Sequence, residues 1–237
     1  MSLQRVPHVP GLLFDPTYFA PVACAGLLAH ALRLYERLEA AVGKGGASER
    51  ARIPQPAYVR SADHNLASEE HFARVTLTEA QGRTIRAEYF PRYGEDGHSL
   101  GYFQRDANLP NFVRDELVPG VHGLVASEGL VTPEQELTWK LTANFYRRAN
   151  GRVAGFPFHV DIPSNGVVTM ILNVQREARF QIAKGGAVTD IALPVGALLL
   201  LSGESRYEWK HRVLPSDAPA GFPVHPVERV SLVLGYQ

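Results

Sequence analysis

Two residues that often ligate metal ions, His159 and Asp161, stand two positions apart in GFPFHVDIP, directly before the apolar run GVVTMILNV. On a regular strand, side chains at positions i and i+2 point to the same face. An imidazole and a carboxylate placed in this way can hold one metal ion together with a third ligand. A histidine on a later strand is expected to supply that ligand.

His211 fits the third position, because it follows the buried-looking run GALLLLSG and precedes an apolar continuation in SGESRYEWKHRV. Two histidines and one carboxylate leave positions open on iron(II) for a cosubstrate and oxygen. The chain has nine histidines, so chance pairings are easy and each residue alone is a weak signal. His225 is the nearest rival, but the prolines around it in GFPVHPVER predict a loop, which is a poor place for a rigid ligand.

A further element, ERVSLVLGY, places Arg229 and Ser231 on one face of an apolar strand. A buried guanidinium needs a carboxylate partner. Its planar fork suits the distal carboxylate of 2-oxoglutarate, with the hydroxyl of Ser231 beside it. The alternative is that Arg229 pairs with an acid near Glu228 or lies in solvent, and both interpretations are open at this point.

Three segments in this order, LTANFYRRANGRVAGFPFHVD, LPVGALLLLSGESRYEWKHRV and ERVSLVLGY, resemble the AlkB-like family of iron(II)- and 2-oxoglutarate-dependent dioxygenases. The resemblance covers residues 141–237. It implies that the catalytic, metal-binding residues are His159, Asp161 and His211. It also implies that the residues binding the cosubstrate are Asn144, Tyr146, Arg229 and Ser231.

The resemblance implies a reaction that consumes 2-oxoglutarate and O2 at iron(II), hydroxylates a C–H bond and forms succinate and CO2. If the target is an N-methyl group, the product loses formaldehyde, and hydroxylation becomes oxidative demethylation. The expected substrate is an alkylated nucleic acid or a protein side chain, and a small molecule is left open. Many members carry a second arginine where this chain has Gly235, so Ser231 is expected to contribute more to cosubstrate binding.

Two other functions remain compatible with the same residues. A non-catalytic, cupin-like barrel would bind a small carboxylate or a protein partner without turnover, and the missing second arginine favours it. A zinc hydrolase could use the same histidine and aspartate ligands without oxygen. It would leave Arg229, Asn144 and Tyr146 without a role.

The pattern of strands and helices around these residues predicts a mainly β fold with flanking helices (α+β). Its core is expected to be a double-stranded β-helix, or jelly-roll, with N-terminal helices packed on it. After Gly155, short apolar or alternating runs are separated by turn residues at the spacing of a sandwich or barrel. Upstream, leucine spacing predicts an amphipathic helix from Pro21 to GKGG. ARVTLTEA, QGRTIRAEYF and GEDGHSLGYF predict strands, and PEQELTWKLTANFY predicts a helix with Pro133 in its first turn.

One oxygenase domain is expected over residues 1–237, with an extension, a helix and a substrate-facing lid in 1–140 and the catalytic β-core in 141–237. Aromatic residues around the Gly-rich turn of AEYFPRYGEDGHSLGYF either stack on a base or pack a hairpin against the core. They are Tyr89, Phe90, Tyr93, Tyr102 and Phe103. The arginines of RRANGR either contact phosphates or lie in a solvated turn, and they are Arg147, Arg148 and Arg152.

Composition narrows the class of protein. Lys plus Arg and Asp plus Glu each total 24, so net charge gives no reason to expect sequence-independent binding to nucleic acid or anionic membranes. The single cysteine, Cys24, has apolar neighbours that predict burial, and it excludes an internal disulfide, which fits the cytoplasm. No apolar run approaches the length of about 18 residues that spans a bilayer. We expect a monomer with no membrane partner.

Overall fold

Two antiparallel sheets, one large and one small, form the framework of the computed structural model. They share a core in which Ile171 and Leu199 of the large sheet pack with Phe180 and Ile182 of the small sheet. Antiparallel sheets that bury their inner faces against each other form a sandwich, and this arrangement is consistent with a jelly-roll. The predicted fold class is therefore confirmed. The structure describes residues 3–43, 50–52, 71–93, 96–131, 138–162, 165–221 and 223–236.

Short strands make up most of the described chain, and helices lie between some of them. The strands are β1 (Gln4–Arg5), β2 (Leu12–Asp15), β3 (Arg50–Arg52), β4 (His71–Thr78), β5 (Thr84–Phe90), β6 (His98–Phe103), β7 (Trp139–Ala149), β8 (Arg152–Val153), β9 (Phe156–His159), β10 (Val168–Gln175), β11 (Ala178–Lys184), β12 (Ala187–Leu193), β13 (Leu198–Ser202), β14 (Lys210–Val213), β15 (Ser216–Asp217) and β16 (Val227–Tyr236). The helices are α1 (Pro21–Gly43), α2 (Val118–Ser127), which continues from a π-helical turn (Val113–Leu117), and α3 (Gly203–Tyr207).

Within the described residues, the large sheet runs β1-β2-β13-β10-β16-β7-β6-β5-β4-β3, and the small sheet runs β12-β11-β14-β9. The strands predicted upstream correspond to β4, β5 and β6, and the runs predicted after Gly155 correspond to β10–β14 and β16. β7 and β16 are neighbours in one sheet, and β9 and β14 are neighbours in the other. This order brings together residues that are far apart in the chain.

α1 covers the face of the large sheet that looks away from the small sheet, and its bounds agree with the predicted helix. Leu27, Ala31, Leu34 and Leu38 recur every three or four residues and are buried in this interface. Cys24 is also buried, as predicted, and burial raises the pKa of its thiol. Among the described residues, no helix is both long enough and apolar enough to cross a membrane.

The helix predicted for PEQELTWKLTANFY is wrong where the structure describes this segment, because its second half belongs to β7. Leu141, Ala143 and Phe145 alternate along the strand and enter the core beneath α1, which is a period of two rather than 3.6. β6 and β16 pair with β7 on either side, and the tryptophan, threonine and tyrosine of this segment are residue types that favour strands. Pro133 lies outside the described residues.

Candidate metal centre

Strand pairing in the small sheet brings His159 and His211 together. β9 and β14 are neighbours, and the two histidines are directly opposite each other in their register. The Oδ1 atom of Asp161 lies 3.6 Å from His159 Nε2 and 3.9 Å from His211 Nε2. One ligand atom of each residue lies within 4.8 Å of the other two, which is a spacing that one metal ion can bridge.

A hydrogen bond orients the ring of His159 for metal binding. Its Nδ1 lies 2.8 Å from the carbonyl oxygen of Pro157. Since a carbonyl oxygen only accepts, Nδ1 carries a proton, and Nε2, which lies on the side of Asp161, is the ring nitrogen left for a metal ion. Metal-ligating histidines commonly donate their second ring nitrogen to the backbone in this way, because the bond fixes both tautomer and orientation.

Asp161 carries the clearest indication that the centre suits a cation. Burial raises the pKa of its carboxyl, but its interactions with His211, His159 and Arg206 outweigh burial and hold the pKa below the usual range. Its Oδ2 is buried and has no hydrogen-bond partner among the described residues. Such an atom is costly unless something else satisfies it. Two imidazoles and one carboxylate with an unsatisfied oxygen fit a divalent metal such as iron(II).

The residues expected to bind the cosubstrate lie on two adjacent strands of the large sheet. In the register of β7 and β16, Arg229 is opposite Tyr146, and Ser231 is opposite Asn144. Residues paired directly across a ladder share one face of the sheet. Because the intervening Phe145 faces the core beneath α1, this patch of four side chains faces the small sheet.

A β-bulge directs Arg229 toward this patch. Val227 and Val230 both enter the core beneath α1, although regular alternation would put residues three apart on opposite faces. The register shifts between Val227 and Arg229, and Glu228 is the extra residue. The sequence pattern alone did not reveal this bulge.

The guanidinium of Arg229 is almost completely enclosed. The residue is 2% exposed, its Nη2 donates to the carbonyl of Ala154 at 3.2 Å, and its Cζ lies 3.7 Å from the ring centre of Tyr146. The alternative in which Arg229 lies in solvent is therefore wrong. The carboxylate of Glu228 accepts instead from Arg148 and Arg176, at 2.6 and 2.9 Å.

His98 is a buried residue of this region that the sequence did not single out. It lies opposite Tyr146 on β6, and their rings stack with centroids 4.4 Å apart. Its Nε2 lies 3.0 Å from Asn144 Oδ1, and it donates this bond because an amide oxygen only accepts. Burial is the main cause that lowers the pKa of His98 to about 3, and the nearby charge of Arg229 adds to it. His98 is therefore neutral near pH 7.

His98 should make the stability of the protein depend on pH. The unfolded chain binds a proton on His98 near pH 6.5, whereas the folded protein binds it only near pH 3. The free energy of unfolding should therefore fall as the pH drops through this window, by about 1.4 kcal/mol per pH unit. His98→Phe keeps a ring on Tyr146 but cannot titrate. Denaturant unfolding at several pH values should give a flatter profile for this variant than for the wild type.

The slope of that profile is the relevant quantity, since His98→Phe also loses the bond to Asn144 at every pH. His8→Asn controls for the removal of an exposed histidine. Equal slopes for the wild type and His98→Phe would show that His98 titrates in the folded protein as it does in the unfolded chain.

The aromatic residues around the Gly-rich turn divide between two faces of the sheet. Tyr89 and Phe103 belong to the core beneath α1, so for them the packing alternative is correct. Phe90, Tyr93 and Tyr102 cluster on the opposite face. A stacked contact links Tyr93 to Phe156, with centroids 5.5 Å apart, and the ring of Phe156 lies 4.2 Å from that of His159. Aromatic rings thus extend from the metal centre along this face.

The arginines of RRANGR make bonds within the fold. Arg147 donates to the carbonyl of Pro91 at 2.9 Å, and Arg148, besides its bond to Glu228, donates to Gly221 at 2.7 Å. Arg152 Nη2 lies 3.4 Å from the carbonyl of Pro215. These arginines therefore bond to the protein's own backbone, and their contacts do not favour the alternative in which they bind phosphate groups.

Two other positions have a structural explanation. A Cβ atom at Gly235 would clash with the backbone oxygen of Asn165, so a second arginine does not fit there without a shift of the chain. His225 lies beside α1, where its ring contacts Tyr35 edge-on and its Nε2 lies 3.6 Å from the carboxylate of Glu36. The structure therefore brings His211, and not His225, to His159 and Asp161.

No protein-family description and no curated protein matches this chain. Among solved structures, OsALKBH1 is 12% identical, with a TM-score of 0.51, and the match covers 98% of this chain and 100% of that one. A prolyl-4-hydroxylase from Pseudomonas putida is 14% identical, with a TM-score of 0.48 and coverage of 96% and 92%. A Trichoplax adhaerens prolyl hydroxylase, solved with a hypoxia inducible factor peptide fragment, is 13% identical, with a TM-score of 0.47 and coverage of 95% and 83%.

The fold of this chain is therefore similar to that of OsALKBH1. At these identities the likeness concerns the fold alone. A His-Asp-His group with the spacing of a metal site is present between the sheets. Any assignment of activity has to rest on that group and on its surroundings.

Proposed function

We propose that this protein is an iron(II)- and 2-oxoglutarate-dependent dioxygenase, in which His159, Asp161 and His211 hold the metal and are the catalytic residues. The observation that carries the proposal is the convergence of one ligand atom from each of these three residues, together with the second carboxylate oxygen of Asp161, which is buried and has no hydrogen-bond partner among the described residues. The fold supports it. Further support comes from Arg229, which is buried on the inward face of the large sheet and could pair its guanidinium with the distal carboxylate of a dicarboxylate cosubstrate.

Bound iron, with 2-oxoglutarate and O2, would supply the oxidation of a substrate C–H bond, with succinate and CO2 as products. The chain's own contribution is to bind and to orient. The fork of Arg229 would pair with the distal carboxylate of 2-oxoglutarate, with the hydroxyl of Ser231 beside it. His98 donates to Asn144 Oδ1, and the amide nitrogen of Asn144 lies 3.5 Å from the carbonyl oxygen of Thr142, so its second N–H would be the one to donate to a cosubstrate oxygen. Tyr146 lies between Arg229 and His98 and limits how either can move.

We also propose the AlkB-like assignment, with an alkylated nucleic acid or an alkylated protein side chain as the substrate. Support comes from the order of the motifs and from the aromatic face that runs from Phe156 to Tyr93 and Phe90. Flat aromatic surfaces suit a planar substrate group. Either stable hydroxylation or oxidative demethylation would use the same metal centre.

Turnover of the cosubstrate tests the proposal. Protein supplied with iron(II), 2-oxoglutarate and O2 should form succinate, because such centres decarboxylate some cosubstrate without substrate. Methylated DNA, RNA and peptides should then be compared for faster succinate formation and for release of formaldehyde. Folded protein that binds 2-oxoglutarate without forming succinate would be a cupin-like binding protein, the alternative that glycine in place of a second arginine at position 235 keeps open. Activity without oxygen would indicate a zinc hydrolase.

The remaining assignments are proposals of the same kind. One oxygenase domain spans residues 1–237, and its 1–140 part supplies α1 and β3–β6 to the same sheet and core as the β-core of 141–237. The protein acts as a monomer in the cytoplasm, and the single buried cysteine, Cys24, supports that compartment.

A further inference from the structure

Asp161 lies beyond the strand that was expected to position it. An i, i+2 pair shares a face only if both His159 and Asp161 are on one strand, but β9 ends at His159. The register of β9 with β14 includes His159 and does not reach Asp161. Strand pairing therefore fixes His159 directly, and something else has to fix the backbone at Asp161.

Arg206 makes the contacts that fix it. Its Nη1 donates to the carbonyl oxygen of Asp161 at 2.9 Å, and its Nη2 donates to the carbonyl oxygen of Ile162 at 2.7 Å. The planar fork thus holds two consecutive carbonyls, as a neighbouring strand would hold alternate ones. Arg206 is 1% exposed, so water does not compete for these bonds.

We propose that Arg206 is a positioning residue of the metal centre, which holds the backbone at Asp161 so that its carboxylate points at His159 and His211. This proposal rests on the proposed function, because it assumes that the three residues bind a metal ion. Outer partners that orient metal ligands often affect metal affinity strongly.

The segment that carries Arg206 is itself well anchored. α3 begins after Ser202, whose backbone N–H donates to Ser205 Oγ at 3.1 Å, and this hydroxyl donates back to the Ser202 carbonyl at 2.9 Å. β14, which carries the ligand His211, follows α3 directly. Residues 203–213 therefore supply both the ligand His211 and Arg206, which holds the backbone at Asp161. A change in the position of this segment would move His211 and Asp161 together.

If Arg206 served only to stabilise the fold, all of its buried donors would be expected to have hydrogen-bond partners. Arg206 Nε is buried and has no hydrogen-bond partner among the described residues, and a buried donor without a partner lowers stability. The guanidinium also lies close enough to Asp161 to help keep its carboxylate ionised. A buried charge and a buried donor without a partner both lower stability. Proteins tolerate such groups mainly at active sites, where they serve the function.

The test compares the metal affinity and the stability of variants. Arg206→Lys keeps the charge, but one nitrogen cannot reproduce the fork, and Arg206→Met removes both. We expect the dissociation constant for Mn(II), measured by calorimetry without cosubstrate, to rise about tenfold for Arg206→Lys and up to about a hundredfold for Arg206→Met. The visible spectrum of the Co(II)-loaded protein should also change, because a displaced carboxylate alters the coordination.

Arg83→Lys is the matched control, since Arg83 also donates to two backbone carbonyls, those of Ala107 and Leu109, but belongs to the turn between β4 and β5. It should lower the unfolding temperature and leave Mn(II) affinity and the Co(II) spectrum unchanged. Unchanged affinity and spectrum in folded Arg206→Lys and Arg206→Met would overturn the proposal.

The remaining outcomes are also decisive. Loss of folding in both Arg206 variants, with Arg83→Lys folded, would make Arg206 a structural residue and overturn the proposal. Wild-type protein that binds no Mn(II), Co(II) or iron(II) would overturn the proposed function together with it. Metal binding by the wild type with no effect of Arg206 would overturn this inference alone.

Discussion

Alanine in place of Asp161 is expected to weaken metal binding by on the order of a hundredfold or more, since even changes outside the ligand set commonly cost 10–100-fold. It removes the only carboxylate of the group. The wild type should gain about 2.7 kcal/mol of stability at a metal concentration of 100 times Kd. At that concentration a variant with a hundredfold weaker affinity should gain only about 0.4 kcal/mol, and less if its affinity is weaker still. Calorimetry and thermal unfolding with and without Mn(II) measure both effects.

The metal-free form of Asp161→Ala should be less stable than the metal-free wild type. The substitution removes the carboxylate whose pKa, despite burial, is lowered by His211, His159 and Arg206, and it leaves the buried guanidinium of Arg206 without that charge beside it. The gain in stability on adding metal, and not the stability of the metal-free form, therefore reports on the site. Asp190→Ala is the control, because Asp190 is an exposed acid on β12 of the same small sheet and bonds to Arg179 and Gln181. Metal affinity that is lowered equally by both substitutions would contradict a site at Asp161.

Methionine in place of Arg229 is expected to weaken binding of 2-oxoglutarate by about 2 kcal/mol or more, a factor of about thirty, because the distal carboxylate would lose a buried ionic partner. Pyruvate has the same 2-oxo acid group but no distal carboxylate, so its affinity should hardly change. Calorimetric titration of the Mn(II)-loaded protein with both acids measures the preference directly. Arg229→Lys should recover part of it, since the charge is kept and the fork is lost.

Arg176→Met provides the matched control for that substitution. Arg176 is another arginine at this end of the large sheet, but it donates to Glu228 and not into the patch with Tyr146. It should leave the preference for 2-oxoglutarate over pyruvate intact, as well as the affinity for Mn(II). A preference that survives Arg229→Met would show that another group recognises the distal carboxylate.

The parts of the fold and site that the sequence predicted correctly follow from short-range periodicity. Alternating apolar runs predicted the strands of the core, and leucine spacing predicted α1. The positions of His159, His211, Arg229 and Ser231 then follow from placing these strands in a jelly-roll, since β14 lies beside β9 and β16 beside β7. The roles of these residues as ligands and as a cosubstrate site stay predictions.

What the sequence did not predict depends on contacts between distant segments. The segment WKLTANFY was predicted to continue a helix from Pro133, whereas it pairs with β6 and β16 as a strand. The bulge at Glu228 is visible only once Val227 and Val230 are known to share a core. His98 and Arg206 resembled ordinary polar residues of a turn or a helix, because their partners, Asn144 and Asp161, lie far away in the chain.

An anaerobic titration tests most directly the claim that one metal ion and one 2-oxoglutarate meet at His159, Asp161 and His211. Adding 2-oxoglutarate to the iron(II)-loaded protein should produce a weak visible charge-transfer band that saturates at one equivalent. The band should be absent from Asp161→Ala and should require more 2-oxoglutarate in Arg229→Met. Folded wild-type protein that binds iron(II) but shows no band with saturating 2-oxoglutarate would contradict that claim.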